Sequence, residues 1–341
     1  MKELCTVDKA QYQHSDRIRI SLGSAIRIGL LDGMLAAEPT TVYLLTATSC
    51  TAKCSFCSQA TDRVGGRLSR VSWPVFRVEE VLEAIASSSG IKRVCLQTTN
   101  HSKVFEESLY LVELIKNKTG LPVSLSSPPF VLQQYKALKN AGVEMVGISF
   151  DGSTPKIFDS IKGRGVQGPY RWKDHMAALN DALKVFGTWQ VRSHLIVGLG
   201  ETEKEVIELI DRFYSSGVLT SLFAFTPLRG TPLESRKPPD LASYRRIQVA
   251  RYLINNKLAE AANMSFDSKG ILTGYGIDQP ELSKIIENGE AFMTSGCPDC
   301  NRPFYNDSPS KHRTGDLYNF PTDIDPEHLH KILDSLFDLG D

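Results

Sequence analysis

The chain has 341 residues, and its 39 basic side chains balance 39 acidic ones. That balance leaves no basic surplus for nucleic acid, and no apolar run reaches the ~18 residues that cross a bilayer. Seven cysteines, an odd number at metal-like spacings, argue for thiol chemistry in a reducing cytoplasm rather than a disulfide framework. The opening Met-Lys-Glu-Leu-Cys is not a signal peptide, so a soluble, cytoplasmic chain is expected. Residues 1–40 read as a lead-in, with helical apolar spacing over 24–35 and one isolated thiol, Cys5. From Thr41 strands and helices alternate. Strands are expected at 42–47, 93–98, 122–127, 143–150, 189–198 and 219–226, and helices at 78–88, 105–115, 131–140, 203–215 and 241–263. Strands apolar on both faces, joined through helices, imply a parallel sheet covered by helices. Two further strands, at 264–267 and 270–273, would complete eight. The expected class is α/β, a complete or partial (βα)8 TIM-type barrel with extensions at both ends: 1–40 lead-in, 41–290 barrel, 291–341 cysteine-containing tail.

In such a barrel the functional groups gather where strands end. The first strand runs directly into Cys50-Thr-Ala-Lys-Cys54-Ser-Phe56-Cys57. Three thiols spaced by three and two residues can each hold one iron of a cubane. Fe–S clusters usually take four thiolates, so three leave one iron open to another ligand. Zinc also takes thiolates, but no second Cys pair follows within a finger's length. The spacing, the aromatic Phe56 before the last cysteine and the preceding strand resemble the radical S-adenosylmethionine (SAM) superfamily.

Other strand ends extend that likeness. Ile148-Ser149-Phe150-Asp151-Gly152 closes the fourth strand; Asp151 reads equally as a helix cap and as a SAM contact. Gly198 and Gly200 let backbone approach a ligand after the fifth strand. Together with Phe225-Thr-Pro227-Leu-Arg-Gly230, they resemble the biotin synthase and lipoyl synthase branch. The resemblance implies SAM-site roles for Phe56, Ser149, Asp151, Gly198 and Arg192, the last of these neutralising the SAM carboxylate. His101 and His194 read as core or supporting histidines. In biotin synthases a cysteine of the second strand joins two from later strands in a second cluster. Here only Cys95 is present, beside Ser124, Ser126, Arg192 and Ser193, so Cys95 reads as a core thiol.

A second group, Cys297-Pro-Asp-Cys300-Asn301-Arg302-Pro303, has a metal-binding shape but only two thiols. With Cys5 it would give three thiolates, and Ser308 or Ser310 a fourth ligand. The resemblance is to the divergent, biotin synthase-like lipoyl synthases that act as two-protein pairs. It implies a second 4Fe-4S auxiliary cluster on these residues; zinc held by Cys5, Cys297, Cys300 and His312 is the rival. The implied activity is C–H activation by a 5′-deoxyadenosyl radical followed by sulfur insertion, as in lipoyl formation on an octanoylated carrier protein. It also implies a ferredoxin- or flavodoxin-type reductant and a second radical SAM subunit as partners, with no nucleic acid or membrane. Phe223, Phe225 and Leu228 suggest an apolar groove for the acyl chain. Two alternatives stand beside this reading: radical SAM chemistry without sulfur insertion, and a non-catalytic zinc scaffold.

Overall fold

A computed structural model describes residues 15–60 and 66–337. β1 (Arg17–Ile20) leads into α1 (Leu22–Arg27), whose first turn is capped by the Ser21 hydroxyl accepting the Ser24 amide. The helix stops at Arg27 and does not reach residue 35, because Gly29 turns the chain at φ 75°. β2 (Thr41–Thr46) is followed by the cysteine loop, a small hairpin of β3 (Arg67–Leu68) and β4 (Val71–Ser72), and β5 (Val75–Arg77).

A repeating unit then takes over: α2 (Val78–Ser87), β6 (Arg93–Gln97), α3 (Val104–Thr119), β7 (Val123–Ser126), α4 (Leu132–Asn140) and β8 (Val143–Gly147). Two helices, α5 (Pro155–Lys162) and α6 (Trp172–Phe186), make the next crossover to β9 (Val191–Val197). The chain continues through α7 (Glu203–Ser215), β10 (Val218–Ala224) and α8 (Leu241–Asn255). α7 begins at a reciprocal cap, Thr202 Oγ1 accepting the Glu205 amide (3.2 Å) and Glu205 Oε2 accepting the Thr202 amide (2.8 Å).

The main sheet runs β10-β9-β8-β7-β6-β2-β1-β5. From β2 to β10 every pairing is parallel, whereas β1 lies antiparallel to both β2 and β5. This is a partial TIM-type barrel of six βα units, extended at one edge by two short antiparallel strands. The expected seventh and eighth strands are instead a separate antiparallel hairpin, β11 (Ser265–Phe266) with β12 (Leu272–Gly274). The few residues between them cannot span a parallel crossover, and Asp267 Oδ1 fixes the turn by accepting the Lys269 and Ile271 amides, each at 2.8 Å.

Side chains alternate along each strand. Outward residues such as Val42, Leu44, Val94, Leu96 and Val146 are buried in the main core beneath the helices. The inward face departs from the expected apolar pattern: Arg93, Gln97, Ser124, Ser126, Arg192 and His194 interrupt it. An interior lined with polar groups serves ligands, not packing.

α9 (Gln279–Glu287) precedes a tail that returns across the β10 edge and ends in α10 (Pro326–Phe337). The free edge at Leu222 is satisfied by this tail: its amide donates to Ser295 Oγ (3.2 Å) and its carbonyl accepts from Tyr305 Oη (2.8 Å). Asn301 Oδ1 accepts the Thr40 amide (3.1 Å), so the tail bridges β10 to the start of β2. Arg245 of α8, 1% exposed, fastens the carbonyls of Leu317 and Tyr318. Among the described residues no helix is long and apolar enough to cross a membrane.

Candidate active site at the strand ends and in the barrel interior

The cysteine loop is held from two sides. On one, the Thr51 amide donates to the Asn100 carbonyl (2.7 Å), while the Asn100 amide points at Cys50 Sγ (3.4 Å). On the other, the Ser55 amide and hydroxyl both donate to the Ile161 carbonyl (2.8 and 3.1 Å). The loop thus spans the residues after β6 and the end of α5, which fixes where its thiols point. Beneath it, Glu107 accepts from Thr48 Oγ1 (2.9 Å) and pairs with His101 Nε2 (2.8 Å), which gives His101 a supporting role.

Burial pushes the Cys57 thiol up to about 11, further raised by Cys50, and it raises Cys54 still more. Such thiols ionise only if a cation holds them, as cluster iron does. Among the described residues no three of His, Cys, Asp or Glu converge on one point as ligands of a single metal ion would. Three thiols spread along a loop suit a cubane, where each binds a different iron. The donor set, its enclosure and its loop geometry fit a 4Fe-4S cluster.

Asp151 lies at φ 63°, a left-handed conformation uncommon outside glycine. A bridge to Leu195 on β9 and an ion pair with Lys162 Nζ (2.7 Å) hold it there. Lys162 also donates to the Ser149 carbonyl (2.8 Å) and lies over the Tyr170 ring at 4.7 Å. Its charge acts on Cys54, opposing part of the effect of burial. No motif in the sequence marked Lys162. Ser149 Oγ lies 2.9 Å from His194 Nδ1. Gly198, at φ 106°, leaves no space for a Cβ, which would sit 2.8 Å from Pro239; its amide and that of Leu199 donate to Glu201.

A cavity of about 500 Å3, within the range of small-molecule sites, opens beside the loop. Phe56, Cys57, Ser149 and Asp151 line one side. Trp73, Phe223, Phe225 and Leu228 give it an apolar body, and Leu22 and the fully exposed Met34 lie at its rim. At its far side Arg302 spreads over the rings of Tyr43, Phe223 and Tyr305 (5.2, 5.4 and 5.2 Å) and donates to Gln97 Oε1 (3.0 Å). Gln97 Nε2 is buried there without a partner.

Arg192 corrects the sequence reading. It lies near the amino-terminal end of β9, beside Cys297 and Cys300 and away from the mouth, so it does not face a SAM carboxylate. Cys95 packs against the hydrophobic cluster of Tyr43, Leu45 and Trp73, as a core thiol does, but Cys300 packs against the same cluster and both tail thiols lie within electrostatic reach of Cys95. Its pairing in register with Tyr43 and Ser124 could be inferred only once the strands were aligned. Ser308 caps a short turn and its Oγ accepts the Ser310 hydroxyl (2.8 Å); these two serines meet each other. Cys5 and the His312 side chain lie outside the described residues.

The radical SAM superfamily model matches residues 44–213, about half of the chain. Among curated proteins the chain resembles biotin synthases. That of Picosynechococcus sp. is 25% identical over 265 residues, 73% of this chain and 68% of that protein. That of Crocosphaera subtropica is 24% identical over 265 residues, 73% and 65%. The chain thus spans about two thirds of these relatives' own length. Among solved structures, the FeFe-hydrogenase maturase HydG from Carboxydothermus hydrogenoformans superposes with a TM-score of 0.51 at 16% identity, covering 64% of this chain and 52% of that one. A second HydG structure gives 0.53 at 14%, covering 64% and 50%. At these identities the likeness is one of fold.

Proposed function

We propose that this chain, which belongs to the radical SAM superfamily and resembles its biotin synthase-like branch, inserts sulfur into an unactivated C–H bond of a fatty acyl chain, as a lipoyl synthase does on an octanoylated carrier protein. The observation that carries this is the cavity, apolar in body, which runs from Cys57 to Arg302 and opens past exposed Leu22 and Met34. An apolar chain tethered outside fits such a shape better than a phosphorylated or highly charged substrate does.

Cys50, Cys54 and Cys57 would hold the 4Fe-4S cluster, and Phe56, Ser149 and Asp151 would line the place of SAM. Bound there, the cluster and SAM supply a 5′-deoxyadenosyl radical by one-electron cleavage of the sulfonium. The residues do the rest of the work by position. Lys162 fixes the Asp151 carboxylate and the Ser149 carbonyl, giving a rigid polar wall at one end of the cavity. Trp73, Phe223 and Phe225 exclude water along the path of the acyl chain, which protects a carbon radical from quenching. His194, driven down to about 3 by burial with help from the Arg302 charge, stays neutral and offers no acidic proton to the cavity. The sulfur would come from a second cluster at the tail thiols Cys297 and Cys300. A ferredoxin- or flavodoxin-type reductant and a second radical SAM subunit complete the reading.

The test is anaerobic incubation with SAM, dithionite and an octanoyl-lysyl peptide, followed by mass spectrometry. A sulfur-bearing product alongside 5′-deoxyadenosine supports the reading. 5′-Deoxyadenosine with an altered but sulfur-free peptide would instead favour radical chemistry without sulfur insertion.

A further inference from the structure

Three thiols from distant parts of the chain share the interior of the barrel. Tyr43, Cys95 and Ser124 pair in register across β2, β6 and β7, so their side chains leave the sheet on the same face. The tail enters that face through the open seam. Ser124 Oγ donates to Cys297 Sγ (3.2 Å), Tyr43 Oη lies 3.3 Å from Cys300 Sγ, and Cys95 and Cys300 both pack against the cluster of Tyr43, Leu45 and Trp73, with Cys95 in electrostatic reach of both tail thiols. The tail backbone here takes left-handed conformations at Asp299 (φ 62°), Arg302 (φ 26°) and Phe304 (φ 56°), three residues that are not glycine. Lys92 Nζ on Asp299 (2.8 Å) and Tyr43 Oη on the Arg302 amide (2.8 Å) help hold this path, which presents both thiols inward.

The charges around the thiols do not balance. Arg192 and Arg251 border the same chamber, and each has its Nε buried without a partner. Among the described residues no carboxylate forms an ion pair with either. Two guanidinium groups so placed repel each other, and burying an unpaired charge costs several kcal/mol. An anion within the chamber offsets that cost. Cysteine thiolates carrying an iron–sulfur cluster make such an anion, and separate thiols on separate irons need not converge on one ion.

We propose that Cys95, Cys297 and Cys300 are the protein thiolates of a second iron–sulfur cluster inside the barrel, with its negative charge balanced by Arg192 and Arg251. This rests on the function proposed above for the presence of a second cluster, and replaces Cys5 with Cys95 in the thiol set. The cluster faces the central cavity across Arg302 and Tyr43, both of which line it, opposite Cys57. An acyl chain in the cavity would lie between the two metal sites.

The experiment uses the full chain with Cys50, Cys54 and Cys57 replaced together by Ala, reconstituted anaerobically with iron and sulfide, so that only the second site is read. Expected are about four iron and four sulfide per chain and a brown chromophore near ~400 nm. Adding Cys95→Ala, or the isosteric Cys95→Ser should the alanine variant misfold, removes both while circular dichroism is unchanged. Arg192→Met keeps the iron but lowers the cluster's reduction potential, since a balancing cation is gone. Iron retained without Cys95, iron lost with Cys5→Ala while Cys95 proves dispensable, or zinc as the bound metal overturns the proposal. A wild-type chain that makes no sulfur-bearing product leaves these iron counts untouched, so the two readings fail separately.

Discussion

Lys162→Met tests whether the wall proposed for the SAM site depends on one ion pair. The Lys162 side chain is 5% exposed and that of Asp151 12%, so the pair is screened by protein rather than water. Removing one member of a buried pair leaves the other charge unpaired and costs about 3–5 kcal/mol. The Ser149 carbonyl also loses a donor at 2.8 Å, worth about 1–3 kcal/mol if nothing replaces it. These losses overlap, so we expect about 3–5 kcal/mol in total, read from guanidinium unfolding of the anaerobic protein. The double variant Lys162→Met/Asp151→Asn removes both charges and should recover at least half of that loss. It should not recover SAM affinity, measured by calorimetry, because the carboxylate is gone. A single variant within about 1 kcal/mol of wild type, or a double variant no better than the worse single, would refute the coupling.

Replacing Cys50, Cys54 and Cys57 together should abolish 5′-deoxyadenosine formation and remove about half of the iron, by colorimetric assay; full iron loading would dismiss the assignment. Burial lowers His175 to about 2 and His194 to about 3. Below the ordinary imidazole value of about 6.5 the unfolded chain therefore takes protons that the folded chain refuses. Their contribution is fully present above that value and falls with pH by about 1.4 kcal/mol per unit for each histidine. Denaturant midpoints at pH 7, 6 and 5 check this, and His175→Asn should flatten the profile. Phe223→Trp should fill the cavity, cutting acyl-peptide turnover at least tenfold while SAM cleavage continues uncoupled; unchanged turnover would place the substrate elsewhere.

What the sequence disclosed was contiguous. The Cys50–Cys57 loop follows an apolar strand, and six such strands alternate with amphipathic helices, so local pattern sufficed for both. Asp151 was visible because it ends a strand, and Gly198 because its turn needs a positive φ that few residues adopt. What stayed hidden depends on register. That Cys95 shares a face with Tyr43 and Ser124, the partners of the tail thiols, shows only once β6 is aligned with β2 and β7, and Arg192 lies two residues before His194, the same-face residue that reaches the cavity. Lys162, eleven residues beyond Asp151, closes helix α5 and carries no local sign of its buried partner. The β11–β12 hairpin was misread because two short apolar stretches satisfy a strand pattern in either direction; only the length of the link between them excludes the parallel one.

The tail that seals the β10 edge also sets an order of events in biosynthesis. Its contacts with β2 join residues 257 and 261 positions apart, as in Tyr43 with Cys300 and Thr40 with Asn301. At about 5–20 residues per second, the ribosome makes β2 on the order of ten seconds or more before the segment that covers it. Throughout that interval Cys95, on β6 beside β2, lacks this cover, and afterwards the tail shuts over it. Nascent chains arrested before residue 293 should alkylate rapidly at Cys95, and finished chains slowly. Equal rates would mean that the seam is open in the mature protein.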